Sequence, residues 1–185
     1  MEHEMISDPT VVLASAIALA AILLLGALDK LRDLTRYSGQ VAAYGLLPPA
    51  LVNGFARLFV LVELAAGALL LLPAAARVVG AWLALGLLTL VTLALLLNLL
   101  RGHTDIDCGC GGPAHARVGL SWWLIGRNAL LLACCVPALL PGQSSRALQW
   151  IDAPALLGAT LAIIGLYFTA NHLIASHTQF VRPAT

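Results

Sequence analysis

An all-α, polytopic membrane bundle of about five transmembrane helices, a four-helix core plus one, with an interfacial amphipathic helix, is the fold class this sequence predicts. Three observations carry it. Hydrophobic residues fill 61% of the 185 positions and charged residues only 10%, against roughly 25% charged in soluble domains. Mean hydropathy is +0.94. Apolar runs of about 18 residues or more recur along the chain, and runs of that length are too long for barrel strands. Because lipid offers no hydrogen bonds, each run must satisfy its backbone internally as a helix. Formal net charge is +1 with no basic or acidic tail, so nothing electrostatic points to nucleic acid. Residues 1–185 read as a single integral membrane domain.

The first expected span, Thr10 to Leu28, contains "VVLASAIALAAILLLGAL" without a charge. Glu2, Glu4 and Asp8 precede it where a signal peptide has basic residues, so it reads as a retained helix. Residues 29–49 follow as an interfacial amphipathic segment. Leu31, Leu34, Val41 and Tyr44 recur at helical spacing with Arg32, Asp33, Arg36 and Gln40 between them, and Tyr37 and Tyr44 suit headgroup level. Proline ends that segment, and Leu51 to Leu72 is the second span. Pro73 turns the chain into the third, Val78 to Leu100. The fourth runs from Leu120 to Leu140 behind Trp122 and Trp123, and the fifth from Ala153 to Ala175 behind Trp150. Between the third and fourth lies residues 101–119, a polar loop holding "RGHTDIDCGCGGPAHAR".

Alternating spans put segment 29–49, this loop and the C-terminus on one face, and the N-terminus, the Pro73 turn and the Arg146 segment on the other. Lys30, Arg32, Arg36, Arg101, Arg117 and Arg182 fall on the first face, against Arg77 and Arg146. By the positive-inside rule the loop faces the cytoplasm.

Ionisable and amide groups inside spans are costly and mark functional or bundle-facing positions. Arg57 and Arg127 each enter about seven residues from the loop face, roughly 10 Å deep. Asn98 and Arg101 close the third span on that face, Asn128 follows Arg127, and Glu63 is deeper. These residues predict a buried polar network beneath the loop, with Glu63 paired to Arg57 or Arg127. A purely structural stitching of helices explains them as well.

The loop carries Cys108 and Cys110 one glycine apart. Such a pair closes a disulfide only as a small strained ring, and strain makes the bond more reducible, which suits exchange better than scaffolding. Gly109 and the Gly111-Gly112-Pro113 turn leave the backbone free to expose the sulfurs. Nearby arginines favour thiolate, whereas Asp105 and Asp107 oppose it. A metal site is the competitor: His103, Cys108, Cys110 and His115 form a symmetric array of two thiols and two imidazoles, although the cysteine spacing is tighter than in structural zinc sites. An inert interfacial loop is the third alternative. Cys134 and Cys135 lie roughly 20 Å down the fourth helix and read as packing residues.

The series "DKLRDLTRYSGQVAAYGLLPPALVNGFARLFVLVELAAGALLLLP", "NLLRGHTDIDCGCGG" and "RNALLL", from Gly26 to Leu132, resembles the MauE family of methylamine utilisation membrane proteins within the DoxX-like group. Family positions fall on Lys30, Tyr44, Pro48, Glu63, Arg101, Cys108, Cys110, Arg127 and Asn128. The chain departs at Gly111, where phenylalanine often follows Cys-Gly-Cys, and at Phe59, where proline precedes the membrane glutamate. His115 is not part of the pattern. The resemblance implies a bacterial inner-membrane protein that helps mature an exported, disulfide-rich substrate, methylamine dehydrogenase, beside a thioredoxin-like partner, MauD. Cys108 and Cys110 would then be the catalytic pair of a thiol–disulfide oxidoreductase embedded in the lipid bilayer. Electrons would pass to or from the membrane, with a quinone near Arg57 and Arg127 as one candidate carrier that no sequence motif singles out. The alternative is a non-catalytic membrane assembly factor with structural cysteines; a small transporter has less support, since no broken helix is evident.

Overall fold

The computed structural model describes residues 8–103, 120–139 and 149–181, all of them helices and short turns. Helix α1 (Pro9–Arg32) starts where the Asp8 carboxylate accepts the Thr10 N–H at 2.8 Å and Pro9 supplies a preset φ. It runs past the apolar stretch through Asp29 to Arg32, because charged residues do not break a helix and Lys30 and Arg32 suit its carbonyl end. Asp33 stops it at φ −140°, and the same carboxylate accepts the Arg36 N–H at 2.9 Å to start α2 (Leu34–Ala43). Segment 29–49 is therefore divided: its first turn belongs to α1, and only ten residues form α2. No side chain of α2 is fully buried, yet it rests on α3, with the Tyr37 ring 6.1 Å from that of Phe59.

Gly45, at φ 63°, turns the chain, and Pro48 leads into α3 (Pro49–Leu70). Pro73 separates α3 from α4 (Ala74–Leu100), and α5 (Trp122–Leu139) carries Pro137 near its end. A single 3-10 turn, Trp150–Asp152, opens α6 (Ala153–Val181); there the Gln149 N–H donates to Asp152 Oδ2 at 3.0 Å.

Among the described residues five helices, α1, α3, α4, α5 and α6, are long and apolar enough to span a membrane, so the polytopic all-helical fold is as expected. α1 is the most buried, packing against α3, α5 and α6, while α4 joins α3 to α5. α6 stands outside the other four, with its flank of leucines exposed. Helices in lipid associate by close packing rather than by expulsion of water. The core accordingly mixes Ala16, Ala20, Ala66, Ala81 and Ala84 with Leu19 and Leu70. Gly67 and Gly80 bring backbones closest: a Cβ on Gly80 would lie 2.8 Å from the Leu70 nitrogen. Cys135 is fully buried in this core, with Cys134 packed against it, both as free thiols. At the other end, Leu95, Leu120 and Leu124 form a second cluster that Tyr44 and Leu99 flank.

Candidate functional site

Above the alanine-rich core the helices separate around a cavity of about 740 Å³ lined from all six helices. Its polar groups form two clusters. In the first, Lys30 of α1 donates to both carboxylate oxygens of Glu63 on α3, each at 2.8 Å. The two side chains are 15% and 8% exposed, so the pair sits in low dielectric, where attraction is strong and an unmatched charge is costly. Gly26 makes the space: a Cβ there would come within 3.3 Å of Glu63 Oε1. The ammonium also faces two rings, Tyr37 at 5.6 Å and Phe59 at 5.7 Å, a cation–π setting that disperses its charge.

The second cluster crosses from α4 to α6. Arg127 of α5 donates to Asn171 of α6 and, at 3.1 Å, to Asn128. Asn128 donates to Thr92 at 3.3 Å, and the Thr92 hydroxyl donates to the Leu88 carbonyl at 2.6 Å. The Tyr167 ring lies 5.2 Å from the guanidinium carbon. Both clusters line one chamber, the first carried by α1 and α3 and the second by α5 and α6, each with aromatic rings beside its cation.

A match to the family "Methylamine utilisation protein MauE" extends over residues 8–141. The chain belongs to the MauE family. It is 34% identical to the methylamine utilization protein MauE of Paracoccus versutus over 92% of this chain and 91% of that one. Identity to the Paracoccus denitrificans protein of the same name is also 34%, over 90% and 88%. The Methylophilus methylotrophus protein is 42% identical over 58% of this chain, a stretch spanning only 56% of that relative. No solved structure matches the chain. This MauE family member is thus a multi-pass membrane protein of methylamine utilisation with bacterial relatives.

The structure redraws the network expected from the sequence. Glu63 pairs with Lys30, not with Arg57 or Arg127. At about 100° per residue, Arg57 falls about 120° around α3 from Glu63, and it is exposed. Arg101 is also exposed, where its N–H caps α4 by donating to the Leu97 carbonyl. Arg127 and Asn128 are buried together as described. Asn98 is buried too, but apart from both clusters: it donates to the Ala94 carbonyl at 3.0 Å, and its Oδ1 has no partner among the described residues. Thr92, Tyr167 and Asn171 were not anticipated. Asn171 is an amide inside an apolar span near the loop face, the same signal that singled out Asn98.

Cys108, Cys110 and His115 lie outside the described residues; His103, the remaining member of the suggested metal set, is exposed. Phe59, where the family resemblance leads one to expect proline, provides one of the rings beneath Lys30.

Proposed function

We propose that this protein is a thiol–disulfide redox protein of the bacterial cytoplasmic membrane that assists maturation of an exported, disulfide-rich protein such as methylamine dehydrogenase, together with a thioredoxin-like, MauD-like partner. The supporting observation is the Cys108-Gly109-Cys110 pair in a segment whose flanks are held at adjoining helix ends. His103 donates its N–H to the Asn98 carbonyl at 3.0 Å at the end of α4, and Leu120 is buried against Leu95 before α5.

In the oxidising direction a partner thiolate attacks one sulfur of a Cys108–Cys110 disulfide, forming a mixed disulfide and releasing the other cysteine as thiolate. The partner's second thiolate then attacks the mixed disulfide. The partner leaves with a disulfide, and Cys108 and Cys110 remain as two thiols. Two electrons and two protons must next pass to an acceptor, for which a quinone serves by becoming a quinol.

The test is Cys108→Ser/Cys110→Ser in cells that depend on the protein for methylamine dehydrogenase activity. Loss of that activity, with the variant accumulating at wild-type level and a single-serine variant trapping a mixed disulfide, is the expected result. Full activity from the double variant would instead make the protein an assembly factor whose cysteines are structural.

A further inference from the structure

The 740 Å³ cavity has a feature that packing alone does not require: it opens along α4 at Trp82, Leu90, Leu93 and Leu97, each at least 45% exposed. These residues lie on a membrane-spanning helix, so the opening faces acyl chains. A guest reaches the chamber from the bilayer and is itself lipophilic. Its volume is in the range of pockets that enclose drug-sized molecules, roughly 300–1,000 Å³, larger than one acyl chain end needs.

The lining charges narrow the guest further. Lys30 and Arg127 are balanced by Asp29 and Glu63, the four charged side chains that line the cavity among the described residues. A phosphate headgroup would bring an uncompensated negative charge into this neutral, low-dielectric site, which is costly. An uncharged head is not penalised. Hydrogen-bonding groups from two separate clusters, with Tyr37 and Phe59 beside one and Tyr167 beside the other, suit a flat ring that carries two acceptors.

We propose that this cavity binds the head of an isoprenoid quinone, its two carbonyls directed to the Lys30–Tyr37 wall and the Arg127–Asn171 wall and its tail leaving between the α4 leucines. The choice of a redox-active head rests on the thiol-relay function proposed above; on that footing two thiols and one quinone give one disulfide and one quinol, with two electrons and two protons conserved. Arg57, exposed on α3, has no part in the site.

Decylubiquinone titrated into the full-length protein in lipid nanodiscs, read by tryptophan quenching, tests this. Saturable quenching is expected, with the native tryptophans as reporters, and Asn171→Ala, which removes the amide that Arg127 donates to, should weaken it. Gly86 lines the cavity with nothing within 4 Å of an added Cβ, so a longer side chain can be rooted there, and Gly86→Leu, directed at the opening, should weaken binding at least about ten-fold. If Gly86→Leu fails to accumulate, Asn171→Ala carries the test alone. Quenching that rises linearly with quinone and is alike in all three proteins is partition into lipid, and overturns the site. So does a phospholipid that co-purifies and is not displaced by the quinone. Stopped-flow exchange between reduced partner and the Cys108–Cys110 disulfide is measured in parallel: binding without exchange removes the relay and keeps the site, and exchange without binding does the reverse.

Discussion

Glu63 needs a counter-charge, and its neighbours show how one residue's surroundings decide which cation supplies it. Three features select Lys30: the missing Cβ at Gly26, the reach of α1 past its apolar run, and the rings of Tyr37 and Phe59 under the ammonium. Glu63→Gln leaves that ammonium buried beside a neutral amide, and removing one partner of a buried pair costs about 3–5 kcal/mol. Thermal unfolding in detergent should show a drop of several degrees or more. Lys30→Met/Glu63→Leu, which removes both charges, should recover most of the loss; an equal or larger loss in the double variant would mean that the pair's worth is not electrostatic. The need for a partner was legible in the sequence, because a carboxylate deep in an apolar run cannot stand alone. Its identity was not, because Lys30 sits among charges at the end of a run, and only helix-to-helix register shows that it faces inward. Asn171 and Thr92 escaped notice for a related reason: single neutral polar groups in a span look like tolerated substitutions until the helices that carry them are brought together.

At the scale of the element, the spans were legible because length and polarity alone determine what crosses a bilayer; the third span was expected to end at Leu100, and α4 does. Segment 29–49 was less so. Amphipathic spacing continues through Asp33, and the break there depends on one carboxylate folding back to the Arg36 N–H, a local competition that periodicity does not register. Helix contacts were not legible either, and the glycines test them. Gly80→Ala drives a Cβ against the backbone of Leu70 and must push α3 and α4 apart, at about 1–3 kcal/mol. Gly86→Ala, on the same helix with open space around it, should instead stabilise by up to about 1 kcal/mol through helix propensity. Urea or thermal denaturation of the two variants side by side checks the opposite signs; matching signs would mean that α3 and α4 do not meet at Gly80.

For the whole molecule, the alternation of spans fixes which ends share a face. On a background lacking the native cysteines, a cysteine at Ala43 in α2 and one at Ala75 in the first turn of α4 should react with a membrane-impermeant maleimide from opposite sides of intact cells. Labelling of both from one side would mean that α3 does not cross the membrane. The same experiment with Cys108 restored tells whether the loop shares a side with α2, as alternation requires, and whether it faces outward, as an exported substrate demands, or inward, as the basic residues around it suggest. The charge balance of the cavity has its own consequence at this scale. An uncharged guest entering a chamber whose four charged side chains sum to zero carries no net charge through the transmembrane field, so the membrane voltage does no work on its binding. Occupancy should therefore be the same in energised and de-energised membranes, leaving voltage to act only on steps in which protons or electrons themselves cross.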